Sequence, residues 1–166
     1  MSIRNARAGD LNAIIEIERV CFPPQEAAGP QALTARFAAF PECFFVAEEE
    51  GRVVGFINGC AHDEPCLPDE LYHDASLHRP DGAYQTVFGL DVLPDYRKKG
   101  IAASLLRRMI EEARARGRKG VVLTCKDALR PYYERFGFVW QGASASTHGG
   151  ASWNDMLLLF DAGQRD

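Results

Sequence analysis

Three cationic side chains in a row, Arg97, Lys98 and Lys99, stand immediately before Gly100, and Ile101 and Ala102 then open a run at helical spacing. The first turn of a helix carries backbone N–H groups without partners, and the helix dipole favours negative charge there. A glycine at that point lets a ligand approach the backbone, and Ala102 keeps the second turn shallow. Arg97 supplies a fork of donors from the side. The combination suits phosphate, pyrophosphate above all; the plainer reading is a solvated charge run before an ordinary helix. Two familiar phosphate loops are missing, since neither G-x-x-x-x-G-K-S/T nor G-x-G-x-x-G occurs. A nucleoside triphosphatase and a dinucleotide dehydrogenase are set aside on that ground.

Other residues able to do chemistry are few. Tyr132 and Tyr133 form a pair in KDALRPYYERFGF, residues 126–138. From helix geometry alone both are packing residues, as aromatics in short amphipathic helices usually are. Cys60-x-His62-x-x-x-Cys66 offers three metal ligands, but its spacing matches no usual zinc pattern and no metal is expected. Cys125 has no histidine near it in sequence and reads as a small packed hydrophobe.

The elements that must position these residues follow from periodicity. A short opening strand is expected over 2–6, then a helix capped by Asp10, with Leu11, Ile14, Ile15 and Ile17 as its apolar stripe, ending before Pro23-Pro24. A second helix is expected over 31–40. The segment CFFVAEEEGRVVGFINGCA reads as an antiparallel hairpin turning at Glu50-Gly51. Residues 62–82, rich in proline, aspartate and histidine, read as one long loop. Residues 84–92 return to strand, with Gly89 hinting at a bulge or a close backbone approach. Ala102, Leu105, Leu106, Met109, Ile110 and Ala113 then recur at helical spacing, and Gly117 stops the helix. VVLTC at 121–125 reads as a strand covered on both faces. A short helix capped by Asp127 over 128–136 and two closing strands over 138–143 and 153–161 complete the chain. This order gives one α/β domain, residues 1–166, with a mixed sheet.

Composition narrows the partners. A net charge of −4 argues against general nucleic-acid binding, so the cationic cluster is local and implies a local ligand. No apolar run of 18 residues exists, and MSIRNARAGD lacks the apolar stretch of a signal peptide. Five cysteines in no tight pairing pattern point to a reduced, cytoplasmic setting without membrane attachment. Whether the chain is a monomer or a homodimer is not legible.

LDVLPDYRKKGIAASLL resembles the acyl-CoA motif of the GNAT superfamily of N-acetyltransferases, Q/R-x-x-G-x-G/A, here Arg97-Lys98-Lys99-Gly100-Ile101-Ala102. KDALRPYYERFGF is similar to that superfamily's later motif, and both fall on the expected elements in the expected order. Within the superfamily, CFPP, GFINGC, SLHRPDG and CKDALRPYYERFGF resemble the arylalkylamine (serotonin) N-acetyltransferases. The resemblance implies a GNAT fold, with a mixed, mostly antiparallel central sheet flanked by helices, and acetyl-CoA as cosubstrate. It implies that the strand around Leu90, Asp91 and Val92 meets the pantetheine arm through its Leu90 and Val92 backbone. It also implies that amides from Lys98 to Ala102 hold the diphosphate, with Arg97 beside them and Tyr132 packing or touching the cofactor. The arylalkylamine enzymes carry two histidines on the strand before the motif, and the matching positions here are Thr86 and Phe88.

The chemistry so implied is direct transfer of an acetyl group to a primary amine. A base must leave the amine neutral, and an acid protonates the departing thiolate. Tyr133 matches the family's acid. Thr86 is the candidate to hold a relaying water. Asp91 is expected on the side of the strand opposite Thr86, and acidic residues of the 62–82 loop, Asp63, Glu64 and Asp74, would attract a cation. A small, arylalkyl-like amine is the leading acceptor. The alternatives are a protein N-terminus or lysine, and a non-catalytic acyl-CoA sensor.

Overall fold

The computed structural model describes residues 1–161; the last five residues of the domain expected over 1–166 lie outside the described residues. Strand β1 (Ser2–Asn5) leads through a 3-10 turn into α1 (Leu11–Cys21), which buries Ile14 and Ile17 and stops where Phe22 turns extended before the two prolines. Asp10 stands before α1 but bonds none of its amides. Its carboxylate accepts from the Arg4 guanidinium at 2.7 and 3.0 Å and from the Arg7 amide at 2.7 Å. Arg4 foremost holds the carboxyl below the usual range. The expected helix cap is thus a clamp on β1.

Helix α2 (Pro30–Ala39) buries Leu33 and hands on to Phe40, which stacks on Phe44 at 5.8 Å. Strands β2 (Phe44–Glu49) and β3 (Arg52–Asn58) form the expected hairpin, turning on Glu50 and Gly51, both at positive φ. The 62–82 segment is more ordered than a free loop. It follows β4 (Ala61–His62) and contains α3 (Glu70–His73) and a 3-10 turn at Ala75–Leu77. Leu67 and Leu71 anchor it in the core. His78 locks its end, with Nδ1 accepting from the Ala61 amide at 3.0 Å and Nε2 facing the Glu42 carboxylate at 3.1 Å. The i, i+4 leucines were the available signal, masked by the charge around them.

The strand expected over 84–92 is broken at Phe88 into β5 (Tyr84–Val87) and β6 (Gly89–Val92). The break joins two sheets, one ordered β1-β2-β3-β6 and the other β4-β5-β7-β9-β8. Helix α4 (Ile101–Ala115) follows β6, and β7 (Gly120–Cys125) lies parallel to β5. A 3-10 turn, Asp127–Leu129, and α5 (Arg130–Glu134) stand where one helix was expected over 128–136. Asp127 accepts from Asn154 at 2.6 Å and does not cap α5. Strands β8 (Val139–Ala143) and β9 (Asn154–Leu159) close the second sheet. One core under α4 and α5 holds Ile101, Leu105, Leu106, Met109 and Phe138, and a second under α1 and α2 holds Ile14, Ile17, Leu33, Phe40 and Phe56. Helices therefore cover both faces of the sheets.

The break matters most for the site. Strand β7 pairs with β5 as far as Val87↔Leu123, and β6 pairs only with β3. The backbone crosses closely at this point: a Cβ on Gly59 would overlap the Thr86 carbonyl, so that position admits glycine alone. Beyond Val87, β6 and the end of β7 part, and one edge of β6 has no strand beside it.

Candidate active site

The gap between β6 and β7 opens into a cavity of about 420 Å³. Residues 87–92 form one wall, Leu123, Thr124 and Cys125 the other, with Glu18 and Cys21 from α1, Tyr133 from α5 and Trp153 at its margins. Leu93 donates its N–H to Val54, and Asp91 lies opposite Phe56 in the antiparallel register. Odd-numbered residues of β6 therefore bond to β3, and Leu90 and Val92 turn their amides and carbonyls toward the cavity. The Val92 carbonyl already accepts from Arg97 Nε at 2.9 Å and Cys21 Sγ at 3.4 Å.

At one end of the cavity lies the turn into α4. Lys98 and Gly100 both adopt positive φ, 63° and 81°, and Gly100 is the N-cap of α4 with no side chain to cap it. The first bond back into the turn is Ser104 N–H to Gly100 at 3.1 Å, which leaves the amides of Ile101 and Ala102 without a helix partner. A Cβ on Gly100 would meet nothing within 4 Å, so the space beside this turn is open. Arg97 is turned back by its bond to Val92 and lines the cavity mouth.

Tyr133 reaches the cavity from α5, 8% exposed, with its ring edge-on to Tyr132 and Phe138. Its hydroxyl has no hydrogen-bond partner among the described residues. Burial pushes the phenol up, with Cys125 and Tyr132 adding to it, so it stays protonated throughout the physiological range. Tyr132 turns away into a shallow groove between α4 and α5 lined by Arg107, Arg114 and Arg135. Cys125 lines the cavity, but burial pushes its thiol up to about 11, which leaves little thiolate near neutral pH.

Thr86 is not brought to the cavity. It is fully buried, and its hydroxyl donates to the Cys60 carbonyl at 2.9 Å, so it has no face on which to hold a water. The break at Phe88 is the reason, because it turns the residues after it out of register with those before. Phe88 does line the cavity, its ring 4.8 Å from that of Tyr72 and 4.6 Å from the Arg36 guanidinium. Asp91 faces inward: it is 1% exposed, and neither carboxyl oxygen has a hydrogen-bond partner among the described residues. Asp63, Glu64 and Asp74 line neither the cavity nor its adjoining recess.

Glu18, which lines the cavity, and Asn58, which stands behind its wall, belong to the candidate site and were missed by sequence reasoning. Glu18 is 6% exposed, accepts from the Ala28 amide at 2.8 Å and lines the cavity. A signal was present: Glu18 follows Ile14 by four residues on the buried face of an amphipathic helix, where a carboxylate is out of place. Asn58 is 1% exposed with both side-chain polar atoms unpartnered. Around the open position over Gly89 converge Asp91 Oδ1 at 3.1 Å, Asn58 Nδ2 at 3.5 Å and Glu18 Oε1 at 3.5 Å from where a Cβ would lie. Any side chain at residue 89 would fill the space these three share.

Comparison with known proteins fits this frame. The sequence family described as Acetyltransferase (GNAT) family matches residues 11–138. The chain belongs to the GNAT acetyltransferase family. It is similar to serotonin N-acetyltransferase of Mesocricetus auratus, 33% identical over 151 residues, which cover 89% of this chain and 72% of that protein. The serotonin N-acetyltransferase of Macaca mulatta is 35% identical over 109 residues, 65% of this chain, and the match spans 52% of that relative's length. The fold is also that of the GphF GNAT-like decarboxylase solved with isobutyryl-CoA, with a TM-score of 0.80 at 23% identity, covering 96% of this chain and 99% of that one. The GNAT fold expected from the two motifs is therefore present. Among the described residues no helix is long and apolar enough to cross a membrane, and no three metal-ligating side chains come together.

Proposed function

We propose that this acetyltransferase moves an acetyl group from acetyl-CoA to a primary amine by direct transfer, the acceptor being a small amine with an aromatic or otherwise apolar body. The observation that carries the reading is the unpaired edge of β6, which faces one cavity lined both by Arg97 and Ala102 of the turn into α4 and by the carboxylates of Glu18 and Asp91. A thioester lying along that edge supplies an activated acyl carbon. Leu90 offers backbone groups to an amide-bearing arm, and the cationic turn from Lys98 to Ala102 offers donors to a diphosphate. Tyr133 keeps its proton until a thiolate is released beside it. The similarity to serotonin N-acetyltransferases supports an amine acceptor, and the five free thiols support a reducing, cytoplasmic setting.

The acceptor class is supported by a smaller recess of about 150 Å³ that shares Glu18, Glu26, Tyr72 and Phe88 with the cavity. Tyr72 lies flat on His148 at 5.4 Å, and Trp153 stands 6.1 Å beyond. Glu26 is tied to Lys126 at 2.9 Å, which holds this wall closed. Arg36 already stands over the Tyr72 and Phe88 faces and Lys126 neutralises Glu26, so what remains for an acceptor is an aromatic wall beside Glu18, which suits an amine on an apolar body.

A panel of arylalkylamines, short alkylamines and N-terminal peptides, scored by thiol release from acetyl-CoA, tests this. Burying an aryl ring is worth about 1.5–3 kcal/mol, so arylalkylamines should exceed short alkylamines by about tenfold or more in kcat/KM. Turnover with peptides alone would replace the small-molecule reading with protein acetylation. Binding of acetyl-CoA without any turnover would leave a sensor.

A further inference from the structure

The geometry points to a carboxyl pair, Glu18 of α1 and Asp91 of β6, as the group that takes the proton from the acceptor's ammonium and holds it between the two acids. This rests on the acetyl-transfer reading above and supplies the base that reading lacks.

The other candidate bases are bonded elsewhere or stand outside the cavity, and His73, at the edge of the recess, is exposed. Thr86 is sealed against Cys60, and His78 is locked between Ala61 and Glu42. His148 directs Nε2 at the Glu26 carbonyl at 2.8 Å, and the Tyr72 hydroxyl is bonded to Thr124 at 3.2 Å. Asp91, by contrast, is buried with two bare oxygens. A carboxylate kept only for structure would have hydrogen bonds, because an unsatisfied buried charge is strongly destabilising. Gly89 keeps the space over it open, and the same space is bordered by Glu18 and Asn58.

Charge around the pair comes from every element packed on it. Burial first, then Glu18 and Cys21 of α1, push the Asp91 carboxyl well above the ordinary carboxylate range, and Arg97 pulls it down. Arg36 of α2 feels both acids, and Tyr133 of α5 feels Asp91. Neither acid lies within ion-pair distance of a cation among the described residues. Two acceptors side by side bond only when one carries a proton, so the pair takes up one proton readily and a second with difficulty.

The proton balance closes. With both acids ionised, the ammonium R–NH3+ gives one proton to the pair, whose charge goes from −2 to −1, and the nitrogen lone pair is freed. The N–C bond forms as the C–S bond breaks, sulfur takes the Tyr133 proton, and the surplus proton on the new amide nitrogen returns to the Tyr133 oxygen. The proton on the pair leaves to solvent. The sum is ammonium plus thioester giving amide, thiol and one proton.

The test compares wild type, Asp91→Asn and Glu18→Gln in kcat/KM against pH, using the best amine of the panel, with a carbon-13 titration of the aspartate carboxyls alongside. Asp91→Asn should lower kcat/KM by about a hundredfold near neutral pH and lose the acid limb. The deficit should narrow at high pH, where the free amine is itself neutral. Glu18→Gln keeps an acceptor for Ala28 and should shift the limb to lower pH, because the negative neighbour is gone. The Asn variant is expected to fold. In wild type the folded chain holds a proton the unfolded chain has released, so stability falls as pH rises from the ordinary carboxylate range to the raised value, and Asn removes that loss. A wild-type limb and rate retained in Asp91→Asn, or an Asp91 carboxyl titrating in the ordinary range, would overturn the pair while leaving acetyl transfer standing. Absence of wild-type turnover with every amine would sink both.

Discussion

Replacing Tyr133 by Phe should lower kcat by about a hundredfold or more while leaving the affinity for acetyl-CoA nearly unchanged. The substitution deletes one oxygen from a ring held between Tyr132 and Phe138, and that oxygen has no hydrogen bond to lose. Packing and stability should therefore hold, and Tm should stay within a few degrees of wild type. A hundredfold loss is about 2.7 kcal/mol of transition-state stabilisation, which fits the loss of a proton donor and exceeds the usual effect of a packing change this small. Burial keeps the phenol neutral, so its proton is present at every working pH and is at hand when a thiolate forms in the same buried space. Acyl donors whose leaving thiol has a lower pKa need the proton less and should be hurt less by the mutation. Single-turnover rates separate chemistry from product release. If Tyr133→Phe keeps full kcat while chemistry limits the rate, Tyr133 is a packing residue and the acid lies elsewhere.

The parts of this site that were legible in the sequence are those fixed by local rules. Glycine after a basic run, followed by helical spacing, marks an open N-terminus, and Gly100 does adopt the left-handed conformation that an L side chain resists. The helix face of Leu105, Leu106, Met109, Ile110 and Ala113 is buried as its period requires. Tyr133, rather than Tyr132, faces the cavity, which the motif indicated and helix geometry alone did not. What failed was long-range. Periodicity alone makes the strand over 84–92 continuous and sets the faces of Thr86 and Asp91 by simple alternation. The break at Phe88 disturbs that alternation, and only the pairing of β5 with β7 and of β6 with β3 reveals it. Gly89 carried the hint of an irregularity but not its consequence, a cavity wall in which Thr86 is excluded and Asp91 is included.

Glu18 was missed for a related reason. It sits on α1, more than seventy positions from Asp91 in sequence, and the two meet only because α1 packs across β3 and β6. A residue-type rule finds a carboxylate on an apolar stripe; it does not say which strand lies beneath. The cation cluster and the phenol could be assigned from nearest neighbours, whereas the acidic end of the cavity is a product of tertiary packing.

Gly100→Val should weaken acetyl-CoA binding by at least about tenfold for each charge-assisted hydrogen bond lost, since such a bond contributes about 1.5–3 kcal/mol. Two effects act in the same direction. Gly100 holds φ at 81°, a conformation costing a β-branched residue roughly 1–2 kcal/mol, so the turn would shift to relieve it and disorganise the amides of 101–102. The added Cβ would also enter space beside the turn where no protein atom lies within 4 Å, so it competes there only with a ligand. Gly100→Asn separates the two, because asparagine tolerates the left-handed region and leaves occlusion as the main loss. Calorimetry with coenzyme A and with a dephosphorylated pantetheine fragment localises the deficit: it should appear with the diphosphate-bearing ligand and vanish with the fragment. Because the contact is with charge, the wild-type affinity should fall as salt rises, and the variant should show a shallower dependence. Unchanged affinity in a folded Gly100→Val protein would remove the diphosphate from the turn and return Arg97, Lys98 and Lys99 to the status of a solvated charge run.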